Sequence, residues 1–485
     1  MPEEPSLKQK TVKGMFWSAL GSFSVKGVQF VVMIVMARLL TPKDYGLVGM
    51  LAIFIAISDS FINSGFGTAL VRKQDRSDAD CSTVFYFNIV VACFFYILLF
   101  FAAPFIADFY NEPLLAKLTR VIGLVLIING FNQVQGALMT ARMDFKTSAK
   151  ISFTSAIVSG GVGLTLAFND FGCWALVGQQ IAAALCRTLL YWYFSKWRPA
   201  LVYSWKSFRE LFGFSSKLLA SGLLDTIYGN IYPLIIGKLY SAATLGFYNR
   251  AQNFADLPSV NITGIIQGVS YPALCTLQHN DARLATTYRK FIRISAFVIF
   301  PLMMGLAGCA KPLIITLVGE KWLFSVLLLQ IICFRMVWYP LHAINLNLLI
   351  VKGRSDLFLK LEIIKKVIGV FFLIISAPFG IVAMCVGSIF SSFFCLIVNT
   401  YYTGKIINVG FFKQMGDISK TIVLSLLMGT LVLCISMFCP TPHIFTLTIA
   451  IAAGALFYIA TAKMMRFPEL KEIIEIRKSQ KQSKQ

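Results

Sequence analysis

The residues that could do chemistry in this chain are charges placed where charges are costly. Lys26, Arg38, Asp59, Arg120, Asp225, Arg250, Asp256, Arg335 and Glu362 lie inside or at the ends of long apolar runs. An ionisable group at bilayer depth is unfavourable by several kcal/mol unless it meets a partner or a hydrated cavity. Ser18, Ser22, Lys26 and Gln29 recur at i, i+4, i+8 and i+11, which is one face of a helix. Asp59 and Asn63 are four apart, and YNRAQNFAD puts Asn249, Asn253 and Asp256 on one stripe beside Arg250. Each charge also has a plainer reading. Arg38, Arg120 and Arg250 could snorkel to an interface. Lys26 could pair with Asp59, and Asp225, Asp256, Arg335 and Glu362 could form ion pairs that fix helix packing. Asn129, Asn132, Gln133 and Gln135 could bond sugar hydroxyls, but joining helices is the preferred reading.

Most of the eleven cysteines lie inside apolar runs and none forms a CxxC pair. With three scattered histidines they read as small buried hydrophobes, so neither a metal site nor a cofactor is expected. The chain has no GxxxxGK[ST] loop, no HExxH and no GxSxG. It is not expected to be an enzyme.

Membrane-spanning helices must position these charges. The 485 residues are 57% hydrophobic and 14% charged, with a mean hydropathy of +0.73. A soluble chain carries nearer 25% charged residues. About fourteen apolar runs approach the ~20 residues a spanning helix needs. Lys and Arg number 44 against 22 Asp and Glu. That excess falls between runs, at Arg72, Lys73 and Arg76, at Arg142, Lys146 and Lys150, and at Lys352 and Arg354. It fits loops facing anionic lipid rather than nucleic acid, and puts both termini in the cytoplasm.

ARLLTPKDYGL at 37–47 aligns with GKLYSAATLGF at 237–247, with Gly46 opposite Gly246. ARMDF resembles GRSDL, and FGCWAL resembles FGIVAM, in the same order. Six spans per copy give both halves one orientation, a parallel repeat typical of transporters with a site between halves. The fold expected is all-α and integral to the membrane: two six-helix lobes plus two C-terminal helices. The expected segments are an amphipathic N-terminus 1–13, an N-lobe 14–196, a linker 197–211, a C-lobe 212–404, two added spans in 405–463 and a basic tail 464–485.

LKQKTVKGMFWSAL, ARLLTPKDYGLVGM, FGTALVRKQD, GFYNRAQNF, YPAL and GEKW occur in an order that resembles the polysaccharide-transport flippases. The likeness is to the branch of colanic-acid and teichuronic-acid exporters, within the superfamily that also holds multidrug extruders and lipid II flippases. It implies a lipid-linked oligosaccharide on undecaprenyl diphosphate, moved across a bacterial inner membrane. It also implies neighbouring polymerase and glycosyltransferases, and basic residues on the first and eighth helices against the diphosphate. Lys26, Arg38 and Arg250 occupy those helices, with Arg120 and Arg335 as further candidates. Asp59, Asp225, Asp256 and Glu362 then couple a proton or sodium ion, or balance the bases. The alternatives are a multidrug exporter of this fold and, more remotely, a membrane-embedded polymerase.

Overall fold

In a computed structural model of the protein, residues 7–63, 65–439, 441–470 and 472 are described. The expected basic tail from residue 473 and the first six residues of the amphipathic N-terminus lie outside them. Among the described residues the regular structure is helical, without strands, and divides into two compact units, Met1–Gly246 and Phe247–Gln485.

The first unit holds α1 (Leu7–Leu39), α2 (Pro42–Asn63), α3 (Phe66–Arg72), α4 (Asp78–Tyr110), α5 (Leu114–Ile122), α6 (Leu124–Gly130), α7 (Gln133–Ala141), α8 (Phe145–Phe168), α9 (Cys173–Phe194) and α10 (Trp205–Leu239). α11 (Ala242–Cys275) carries the chain into the second unit. There follow α12 (Asp281–Gly308), α13 (Ala310–Val318), α14 (Phe324–Met336), α15 (Tyr339–Val351), α16 (Ser355–Ser376), α17 (Ile381–Ile407), α18 (Phe411–Phe438) and α19 (His443–Met464).

Helices occupy all fourteen expected regions. Among the described residues ten helical spans, or eleven with one bent pair, are long and apolar enough to cross a membrane, α2 with α3 and α14 with α15 each counting as one. α10, α11 and α16 run to 35, 34 and 22 residues but carry more polar side chains. The entry segment from Leu7 is continuous with the first span, as one 33-residue helix.

Local chemistry explains where the helices begin. Ser77 caps α4: its Oγ accepts from the Asp80 backbone N–H, while the Asp80 carboxylate accepts from the Ser77 N–H. Thr41 and Asp44 do the same ahead of α2, where Pro42 needs no N–H partner. Ser241 accepts from the Thr244 N–H ahead of α11. The aligned segments TPKDYG and SAATLG therefore fold into equivalent capped helix starts. Lys73 bridges Asp80 and Glu210, 3.1 Å from each. Partial burial opposes its charge, but the two carboxylates outweigh that and hold the ammonium above the ordinary lysine pKa.

α10 packs on α2, α3 and α4, although the sequence places it at the head of the C-lobe. The two added helices are integral to the second unit: α18 lies along α12, and α19 along α18 and α13. Arg289 on α12 donates to both Asp417 oxygens, at 2.5 and 2.7 Å. Lys290 and Arg293 reach Glu472 and Glu469.

The expected fourth span is not one straight helix. It breaks after Gly130 and bends by 40° between α6 and α7. The tenth is interrupted between α14 and α15 but continues as a single span. A break frees backbone carbonyls that apolar surroundings cannot satisfy. In the first unit Thr188 donates to Ile128 O at 3.0 Å and Trp192 Nε1 to Phe131 O at 2.9 Å. In the second, Ser259 donates to Met336 O at 2.9 Å.

Candidate functional site

The breaks position the polar residues. α2 ends and α3 begins around Gly65, whose φ of +75° favours glycine. This break and the one between α6 and α7 open onto the same cavity, of about 620 Å³. Asp59 and Asn63 line it from the last turn of α2, Gly67 and Thr68 from α3, Asn129 from α6 and Gln133 from α7. Arg187 and Tyr191 close it from α9. Asp59 accepts from Asn63 Nδ2 at 2.7 Å through Oδ2, and its Oδ1 has no hydrogen-bond partner. Polar side chains on a broken backbone are tolerated at membrane depth where they line a cavity.

The span-four amides divide between the two roles weighed for them. Asn132 is buried and donates to Thr188 at 2.7 Å, joining helices. Gln135 is fully buried within the unit. Asn129 and Gln133 line the cavity, and Asn132 borders it as well. Arg187 and Tyr191 were not among the expected site residues. Their i, i+4 spacing within an apolar run was the available signal.

The other expected residues are dispersed within their units. Lys26 is exposed on α1 together with Ser22 and Gln29, and Arg38 is exposed in the last turn. Asp225 is exposed on α10. Arg120 lies 4.7 Å over the Phe100 ring and donates to Phe100 O at 3.4 Å, a contact between α5 and α4. In the second unit Arg335 donates to Gln252 Oε1 at 2.5 Å, and Gln252 donates to Asp256 Oδ1 at 2.6 Å. One amide thus relays between a base and an acid. Glu362 forms an ion pair with Lys365 one turn along α16. His342, also unexpected, contacts Ser392 and Asn399 on α17 at 3.1 and 3.0 Å.

Arg250 is only 2% exposed, and its guanidinium lies 4.7 Å over the ring of fully buried Trp322, in the GEKW segment. A desolvated cation over indole is worth about 2 kcal/mol or more. Arg250→Ala is expected to lower the thermal unfolding midpoint, at a loss of about 2–4 kcal/mol. Transport per folded molecule should be retained. A variant as stable as the parent but without transport would return Arg250 to the binding site.

Several relatives support a common ancestry. The chain is 26% identical over 355 residues to the teichuronic acid biosynthesis protein TuaB of Bacillus subtilis (strain 168), covering 73% of this chain and 74% of that one. It is 26% identical over 403 residues to the lipopolysaccharide biosynthesis protein WzxC of Escherichia coli (strain K12), covering 81% and 80%. Its fold matches that of the lipid II flippase MurJ in an inward closed conformation, with a TM-score of 0.75, 14% identity and coverage of 93% and 98%. The polysaccharide biosynthesis protein family model matches residues 35–327. This multi-pass membrane chain belongs to the polysaccharide biosynthesis protein family.

Proposed function

We propose that this protein carries a lipid-linked oligosaccharide, borne on undecaprenyl diphosphate, from the cytoplasmic to the periplasmic leaflet of a bacterial inner membrane. It acts by alternating access, as a transporter rather than an enzyme. It supplies cell-surface polysaccharide assembly between glycosyltransferases, which build the unit inside, and a polymerase, which consumes it outside. Both termini face the cytoplasm, the side of the basic connections.

The observation that carries this reading is the exposed polar stripe of Ser22, Lys26 and Gln29 within the apolar Gly21–Leu39 part of α1. Lys26 lies about 20 Å along the helix from Leu39, at the usual rise per residue. That is well inside a hydrocarbon core of roughly 30 Å. A positive charge exposed at that depth suits a hydrated path for an anionic headgroup. A polyprenyl diphosphate supplies the anion while its tail remains in lipid. Lys26 and Arg38 attract the diphosphate in this reading, with Arg120 and Arg335 further from it. Asp59 and Asp256, each held by an amide, couple an ion or balance charge, as do Asp225 and Glu362.

Deleting the gene tests the reading. Undecaprenyl-diphosphate oligosaccharide should accumulate in the cytoplasmic leaflet, protected from a periplasmic glycosidase, and surface polysaccharide should fall. An unchanged distribution of the lipid between leaflets sinks the proposal.

A further inference from the structure

We infer that the cavity in the first unit, bounded by α2, α3, α6, α7 and α9, is a sugar-recognition subsite that selects the cargo by its hydroxyls rather than by its diphosphate. The inference rests on the flippase reading and adds to it where the glycan is read.

Charge is the first argument. The charged side chains lining the cavity are Asp59 and Arg187, one of each sign. They form no salt bridge with each other. A diphosphate pocket needs a cationic excess, and this lining has none. Opposed charges left unjoined around open space suit a ligand rich in groups that both donate and accept. Sugar hydroxyls are such groups.

Satisfaction is the second. The side chains of Asn129, Gln133 and Thr68 form no hydrogen bond among the described residues, and Asp59 Oδ1 has no partner. The neighbouring Asn132, on the same break, is used to join α7 to α9. The cavity therefore retains planar amides, a carboxylate and a guanidinium, each able to span two adjacent hydroxyls. An apolar cargo would leave these groups unsatisfied, and that penalty makes such a site selective.

Shape is the third. At about 620 Å³ the cavity is of small-ligand size. Gly67 and Gly136 keep it open. A Cβ on Gly67 would meet only Ala137, at 3.9 Å, and one on Gly136 would lie 3.6 Å from the Tyr191 phenol. Tyr191 brings an apolar ring beside polar groups, the combination that suits the apolar face of a pyranose.

The test uses the full-length protein in lipid nanodiscs. Two probes are compared: bare undecaprenyl diphosphate, and the undecaprenyl-diphosphate oligosaccharide extracted from the host membrane. The parent should bind the glycosylated lipid at least about ten-fold more tightly, from several hydrogen bonds of ordinary worth. Gln133→Ala with Arg187→Met should reduce that preference to within about two-fold, with affinity for the bare lipid unchanged. Gly67→Leu fills the cavity without removing a polar group and should do the same, which guards against misfolding of the double variant. If all variants keep the preference, the cavity is not the sugar subsite and the flippase reading stands. A parent that binds both lipids equally also overturns the inference alone. A parent that binds neither overturns the flippase reading, and the inference with it.

Discussion

Lys26→Gln should abolish transport while leaving a folded protein in the membrane. The residue is exposed, and glutamine keeps much of its length and polarity. Its neighbours Ser22 and Gln29 keep the stripe wet. What disappears is one positive charge on the face assigned to the diphosphate. A charge-assisted hydrogen bond is worth about 1.5–3 kcal/mol, roughly 10- to 150-fold in affinity. Flux falls further if the charge is also used as the head crosses the bilayer centre, where no solvent replaces it. Lys26→Arg keeps the charge and should retain most transport, although the wider guanidinium changes its geometry. The measurement is surface polysaccharide together with inner-leaflet lipid-linked oligosaccharide, in a deletion strain complemented to equal protein levels. Full export by Lys26→Gln would remove Lys26 from the mechanism.

Gly46→Val and Gly246→Val should each prevent accumulation of folded protein, an effect on the fold rather than on binding. A Cβ on Gly46 would overlap the Ala242 carbonyl, and one on Gly246 would overlap the Pro42 carbonyl. The starts of α2 and α11 thus rest reciprocally on each other at backbone distance. Backbone cannot yield as a flexible side chain does, so a side chain must force the helices apart. Overpacking costs about 1–3 kcal/mol where neighbours adjust, and more where they cannot. Membrane helices depend on such small-residue contacts because lipid offers no hydrophobic drive to hold them together. Monodispersity after detergent extraction and the thermal midpoint report the effect. Gly46→Ala should be intermediate, with a midpoint lowered by several degrees. Normal stability of both valine variants would show that this contact is not part of the folded protein.

The two predictions draw on different kinds of information. The depth of Lys26 was legible in the sequence because lipid penalises charge, and an isolated base in an apolar run is visible without coordinates. The equivalence of Gly46 and Gly246 was also visible, as an alignment. Its meaning was not: each glycine is needed because the start of the other's helix rests on it, and a one-dimensional match cannot show two segments in contact.

The helical membrane class and the family resemblance followed from composition, periodicity and segment order. These are properties of neighbours in sequence. The tertiary structure alone decided which polar groups converge. Span four carries several amides in a row, and only the break around Gly130 lets Asn129, Asn132 and Gln133 all border the cavity while Asn132 also donates to Thr188. Arg187 and Tyr191 reach the same cavity from a helix more than forty residues away. Arg250 shows the converse. Its sequence context reads as a site residue, but its guanidinium lies over Trp322, seventy-two positions on. A side chain's type states which interactions it must find, and only the packing of distant helices determines whether a cavity or another side chain supplies them.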